Sequence, residues 1–188
     1  MGPVPIHEAG MHHREAALLD PLNGMLNRTA LQSRFAELRQ QAAQNGHPIS
    51  LVMCDLDHFK DVNDGHGHHR GDAVLRDTAY QLRKATRSFE LIYRIGGEEF
   101  LVVLPGIDIA EAQEVAERLR RAVATARPSG LPVTASFGVS VARGTEIQFE
   151  ELFRAADQAL YETKAAGRNT VMAAGLTDRP SPAAASAR

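Results

Sequence analysis

The apolar run ISLVMC (49–54) leads straight into DLDHFKDVNDGHGHHRGD (55–72), a stretch dense in Asp, Asn, His, Lys and Gly. Asp55 falls at the end of a buried strand, where an ionised carboxylate is costly unless it is paired or holds a cation. A second stretch, YRIGGEEFLVVLP (93–105), sets Glu98 and Glu99 side by side where one apolar run ends and the next begins. The turn between two strands calls for Gly96 and Gly97, which supply backbone freedom at positive φ, but it has no need of two carboxylates at the head of a buried strand. If the two strands are neighbours, Asp55 and Glu98 converge at one end of a sheet. Hard oxygen ligands, with no Cys ligand and no ordered His spacing, favour magnesium, which is held by one or two carboxylates together with substrate phosphates. Carboxylates in a solvated loop are the plainer alternative, and spacing alone leaves both open.

Such residues need a core to hold them. The chain has 188 residues, 44% hydrophobic and 23% charged, which suits a globular chain with one domain's worth of core. Its formal net charge of −2 points to no nucleic-acid partner. A single cysteine, Cys54, excludes an intramolecular disulfide and fits a reducing compartment. No apolar run approaches membrane-spanning length, and MGPVPIHEAG lacks the order of a signal peptide. The expectation is a cytoplasmic protein, or a cytoplasmic piece of a larger one, with no membrane contact by this segment. Residues 1–19 read as the end of an upstream signalling helix, 20–173 as one domain, and the small, Pro-containing 174–188 as a disordered tail.

Leu31, Phe35, Leu38 and Ala42 fall at helical spacing behind an Asn27 cap, and Gly46 closes that helix. A strand follows at 49–56. Val74, Leu75, Tyr80 and Leu82 suggest a helix over 71–86. The hairpin comes next, then a helix over 108–126 with Ala112, Val115, Leu119 and Val123 inward. The run 133–142 alternates strictly, with Val133, Ala135, Phe137, Val139 and Val141 on one face. Phe149, Leu152, Phe153, Ala156 and Leu160 mark a last helix that Gly167 terminates. This order predicts an α+β fold, a central sheet containing antiparallel strands and flanked by helices, rather than a doubly wound one.

Several separated motifs carry a resemblance. DPLNGMLNR (20–28), DLDHFKDVND with GHHRGD, GGEEF (96–100), VTASFGVS and ADQALYETKAAGRN occur in the order found in GGDEF-family diguanylate cyclases. The chain resembles that family over residues 20–173, with Asn23 replacing a Thr and Met25 a Leu in the first motif. The resemblance implies a fold like nucleotidyl cyclase catalytic domains and polymerase palms (ferredoxin-like). It implies condensation of two GTP into cyclic di-GMP with release of two pyrophosphates, across a two-fold homodimer with facing half-sites. It implies two Mg2+ (or Mn2+) ions per active site, held by Asp55, the Leu56 carbonyl and Glu98. Glu98 occupies the position of the proton acceptor, and Glu99 that of a base or an organiser of the site. The backbone around His58 and Phe59, with Lys60, Lys164 and Arg168, is implied to meet the phosphates. Lys164 and Arg168 are read as one turn apart on the last helix, where a plain basic helix end is the alternative.

Guanine reading is implied for Asn63 and Asp72, with His68 nearby. A carboxylate accepts from the ring N–H and exocyclic amine that guanine presents side by side and adenine does not. The rival role for Asp72 is an N-cap. The family's inhibitory product site appears in altered form, with Arg87 and Arg118 in place and Glu90 where Asp is usual; an ordinary surface ion pair is the alternative. HGHH (66–69) with His58 hints at zinc, but its spacing matches no standard site. Cys54 faces away from Asp55 and reads as a small buried side chain. A catalytically silent GTP or cyclic di-GMP receptor and a dimerising output module are the other function classes, though the double-glycine motif shows no damage.

Overall fold

The computed structural model describes residues 18–144 and 147–174. The expectations for 1–17 and for the tail from 175 lie outside the described residues. The elements run β1 (Leu26–Asn27), α1 (Arg28–Asn45), β2 (Ile49–Leu56), α2 (Phe59–His66), α3 (His68–Ala85), β3 (Leu91–Gly96), β4 (Glu99–Pro105), α4 (Ile109–Ala126), β5 (Ala135–Ala142), α5 (Phe149–Ala165) and β6 (Val171–Ala173).

The strands form one sheet in the order β1-β3-β4-β2-β5-β6. The four long strands pair antiparallel, and the short edge strands β1 and β6 add in parallel. Strand alternation sends successive side chains of β2 to opposite faces. Val52, Cys54 and Leu56 pack with Phe100, Val102, Phe137 and Val139 under α3 and α4. Ile49, Leu51 and Met53 pack with Leu101, Val103 and Tyr93 under α1 and α5. Every residue of β2 is buried, because helices cover both faces of the central strand. The predicted α+β layered architecture is what the chain adopts.

Helix α1 starts and stops as its sequence predicts. Asn27 accepts from the amides of Thr29 and Ala30, and Gly46 closes the helix in the left-handed conformation. Asp108 caps α4 in the same manner. Where β5 meets α5 the backbones nearly touch. A Cβ on Gly138 would stand 2.1 Å from the Ala156 carbonyl oxygen and 2.3 Å from the Leu160 nitrogen, so only glycine fits. Gly138→Ala is expected to lower stability by about 1–3 kcal/mol through overpacking, read as a lower urea midpoint at unchanged slope.

Four expectations need correction. The run 55–72 is not a loop leading to a helix at 71. It folds as α2 and then α3 from His68, with Gly67 between them at φ 80°. Asp72 therefore sits inside α3 and caps nothing; Gly67 holds the cap position. Neither Gly96 nor Gly97 lies in the left-handed region, and the β3–β4 ladder absorbs the turn through a register shift between Arg94 and Gly96. The tight fit is instead at Gly96, where a Cβ would meet the Glu99 carboxylate at 3.2 Å. Tyr80, predicted to face inward, is exposed, since α3 turns Val74, Leu75, Thr78, Ala79 and Leu82 to the core.

Candidate active site

Asp55 is the last residue but one of β2, a strand buried along its whole length. Its side chain lies on the α5 face of the sheet, alternating with Met53, and is opposite Glu99 in the β2–β4 ladder. Burial pushes its carboxyl above the usual range, against the pull of the Lys164 ammonium, whose Nζ stands 3.0 Å from Oδ2. Glu99 is raised in the same direction, by burial first and then by the Asp55 charge. Cys54 points to the other face, where burial drives its thiol well above its ordinary value and leaves it inert.

Glu98 does not head β4 as expected. It occupies the β3–β4 turn, and Glu99 is the first residue of the strand. The Leu56 amide donates to the Glu98 carbonyl at 3.4 Å, which ties this turn to the end of β2. Arg94 holds the turn from the other side. Its Nε and Nη2 donate to the Gly97 carbonyl at 3.1 and 2.8 Å, while Nη1 reaches both Asp20 oxygens at 2.9 and 3.1 Å. Asp20 and Arg94 received no role from the sequence, although both belong to its quoted motifs. Their pairing across 74 residues is what a motif scan cannot show.

The start of α2 leaves helix amides open at the end of β2. His58 takes the cap position at φ 56° but makes no side-chain capping bond; its Nδ1 lies 3.2 Å from Asp61 Oδ2 instead. The Asp61 and Val62 amides both turn back to the His58 carbonyl, and the buried Phe59 ring anchors the turn. The amides of Phe59 and Lys60, at the first two positions of the helix, are thus directed to ligand or solvent, as at phosphate-binding helix ends.

These groups line one open cleft of about 240 Å³, walled by Asp55, Leu56, Asp57, His58, Phe59, Lys60, Asp61, Glu98, Lys164 and Arg168. Four acidic side chains, Asp55, Asp57, Asp61 and Glu98, meet the cations Lys60, Lys164 and Arg168 and a helix N-terminus, a mixture of carboxylates and cations that suits a polyphosphate bound with a divalent ion. Among the described residues no group of three or more His, Cys, Asp or Glu side chains could hold a metal by itself. The carboxylates of Asp55 and Glu98 with the Leu56 carbonyl still fit magnesium, which takes few protein ligands and keeps the rest for phosphate and water. His66, His68 and His69 are exposed on α2 and α3.

Arg168 is not on the last helix. The helix ends at Ala165, and Arg168 follows Gly167 in a left-handed turn, its amide bonded to the Thr163 carbonyl at 2.9 Å. The turn still delivers Arg168 to the cleft that holds Lys164. Asn63, His68 and Asp72 lie outside that cleft lining, as does Glu99, which borders a separate cavity beside Arg28, Arg154 and Asp157. Asn63 packs onto the helix beside Asp72. A Cβ on Gly71 would fall 1.9 Å from Asn63 Oδ1, so glycine there admits the amide.

The same residues match a known family. A family model described as diguanylate cyclase, GGDEF domain, covers residues 17–170. The chain belongs to the GGDEF domain family. This GGDEF domain is 41% identical over 160 residues to the diguanylate cyclase DgcP of Pseudomonas aeruginosa, covering 83% of this chain and 24% of DgcP. It is 39% identical over 172 residues to the response regulator PleD of Caulobacter vibrioides, covering 86% of this chain and 37% of PleD. It is similar to the crystal structure of the coiled coil and GGDEF domain of DgcB from Caulobacter crescentus in complex with c-di-GMP. There the TM-score is 0.82 at 29% identity, over 90% of this chain and 92% of that one. The chain thus spans well under half the length of these two sequence relatives. No helix among the described residues is long and apolar enough to cross a membrane.

Proposed function

We propose that this GGDEF domain is a diguanylate cyclase that condenses two GTP into cyclic di-GMP across a two-fold homodimer. The observation that carries the reading is the cleft where Asp55 and Glu98 face Lys60, Lys164, Arg168 and the open start of α2. Each subunit binds one GTP. Its triphosphate lies against the Phe59 and Lys60 amides and the three cationic side chains, which offset charge as pyrophosphate departs. Asp55, the Leu56 carbonyl and Glu98 would hold the divalent ions, Mg2+ or Mn2+, which when bound would supply Lewis-acid polarisation of the α-phosphate and acidify the attacking hydroxyl. The 3′-hydroxyl of the facing nucleotide forms a bond to the α-phosphorus and gives its proton to Glu98, while the bond to pyrophosphate breaks. Glu99, across the ladder from Asp55, organises the site through its charge and its contact with Gly96. Asn63 and Asp72, with His68 near them, read guanine. Incubation with GTP and magnesium, with the product identified by mass and chelation as the control, tests the reading. Bound GTP that stays intact in a dimeric sample would favour a silent receptor.

The product site belongs to the same proposal. Glu90, with 1% of its side chain exposed, accepts from Arg118 Nη2 at 2.8 and 2.7 Å and from the Arg87 amide at 2.7 Å. The carboxylate is used inside the protein, so a bound cyclic di-GMP meets Arg87 and the outer part of Arg118 without it. Feedback inhibition is expected to be non-competitive and weak. Arg87→Ala should relieve it while leaving kcat without product unchanged, and calorimetry without binding outside the active site would remove this site from the account.

A further inference from the structure

We propose that Asp57 is a positioning residue that fixes Arg168 at the phosphate end of the cleft, an inference that rests on the reading of Arg168 as a phosphate ligand. Gly167, Arg168 and Asn169 adopt φ values of 112°, 65° and 45° in succession. Left-handed backbone is unfavourable for the two residues that carry side chains, and it persists only where the surroundings impose it. Here they do. The Asn169 amide donates to Asp57 Oδ2 and to Ser136 Oγ, each at 3.1 Å. The Asn169 side-chain oxygen accepts from Arg120 Nη1 at 2.7 Å, and Glu117 grips Arg120 through Nε and Nη2 at 2.7 and 2.8 Å.

Asp57 is the buried hub of this arrangement, 5% exposed. Oδ1 accepts from Ser136 Oγ at 2.7 Å, and Oδ2 from Thr134 Oγ1 at 2.6 Å as well as from Asn169. Its own amide donates to the Thr134 carbonyl at 2.9 Å. A carboxylate offers about four acceptor positions, and three are taken by neutral donors, the Thr134 and Ser136 hydroxyls and the Asn169 amide. This is the wiring of a brace rather than of a metal ligand. Because Asp57 lies between Asp55 and the start of α2, it also sets the Arg168 turn in register with the helix that meets the same phosphates.

The test is affinity for a GTP analogue with a methylene bridge between the α- and β-phosphates, measured with magnesium on wild type, Asp57→Ala, Arg168→Ala and the double variant. Each single change is expected to weaken binding about tenfold, the worth of one charged hydrogen bond. The double variant should bind no more weakly than Arg168→Ala, because Asp57 acts through that arginine. Asp57→Asn keeps an acceptor oxygen and should recover most of the loss. Losses that multiply in the double variant, or an Asp57→Asn as impaired as Asp57→Ala, overturn the proposal. If Arg168→Ala alone binds as wild type, the phosphate reading of Arg168 has failed first, and the brace has nothing to position. Should Asp57→Ala fail to fold, Ser136→Ala serves instead. A loss of about fivefold that vanishes in the Arg168→Ala background supports the brace, and one that persists there overturns it.

Discussion

Asp55→Ala is expected to cut cyclic di-GMP formation by at least about three orders of magnitude while leaving the fold in place. In the proposed mechanism the change removes a buried oxygen ligand for the ions that stabilise charge at the α-phosphate, worth several kcal/mol of barrier. The fold should survive because Asp55 is itself a strained choice there: burial already pushes its carboxyl upward, and Lys164 is its ion-pair partner. Truncation leaves the Lys164 ammonium unpaired but 36% exposed, where water can solvate it. Glu98→Ala should lose activity to a similar degree with even less effect on stability, since Glu98 occupies a turn. Product chromatography and thermal melting on the same samples give both readouts. Turnover at the wild-type rate by Asp55→Ala would remove the metal assignment.

Asp72→Ser is expected to shift the preference for GTP over ATP by about ten- to hundredfold, the worth of one charged hydrogen bond of about 1.5–3 kcal/mol. Asp72 lies inside α3, beside Gly71, over which the Asn63 amide packs. The structure removes the rival explanation, because a residue inside the helix does not cap it and Gly67 holds the cap position. Serine shortens the side chain, loses the charge and can donate as well as accept, so adenine is no longer penalised by an unpaired carboxylate. Competition between GTP and ATP, with products separated by mass, reads the ratio. A wild-type ratio in the variant would mean that guanine is read elsewhere.

The sheet was legible because its signals are local. The apolar run 49–56 is buried on both faces, and alternation along 133–142 placed Val133, Ala135, Phe137 and Val139 on the α3–α4 side. Helix α1 announced itself through Asn27 and Gly46. Helix α2 did not, because FKDVNDGH buries only Phe59 and ends in Gly and His. The hairpin glycines suggested left-handed backbone, but the strand irregularity did that work and Gly96 serves the close approach of Glu99. At the site, Asp55, Glu98, Lys60, Lys164 and Arg168 were all named in advance, and they line one cleft. The parts that hold them were not. Arg94 reaches Asp20 across 74 residues, and Asp57 reaches Thr134, Ser136 and Asn169 across 77, 79 and 112. Such pairs have no period and no local spacing, so only the folded chain brings them into view.

The proposed pairing of facing half-sites is tested in one titration. In the proposed mechanism each subunit binds a single GTP, so neither subunit closes the ring alone. Cyclic di-GMP made from GTP and magnesium, assayed across a dilution series whose dimer content is followed by light scattering, should show a rate per subunit that rises with protein concentration until dimers saturate. A rate per subunit that stays flat down to samples containing only monomer would contradict the account.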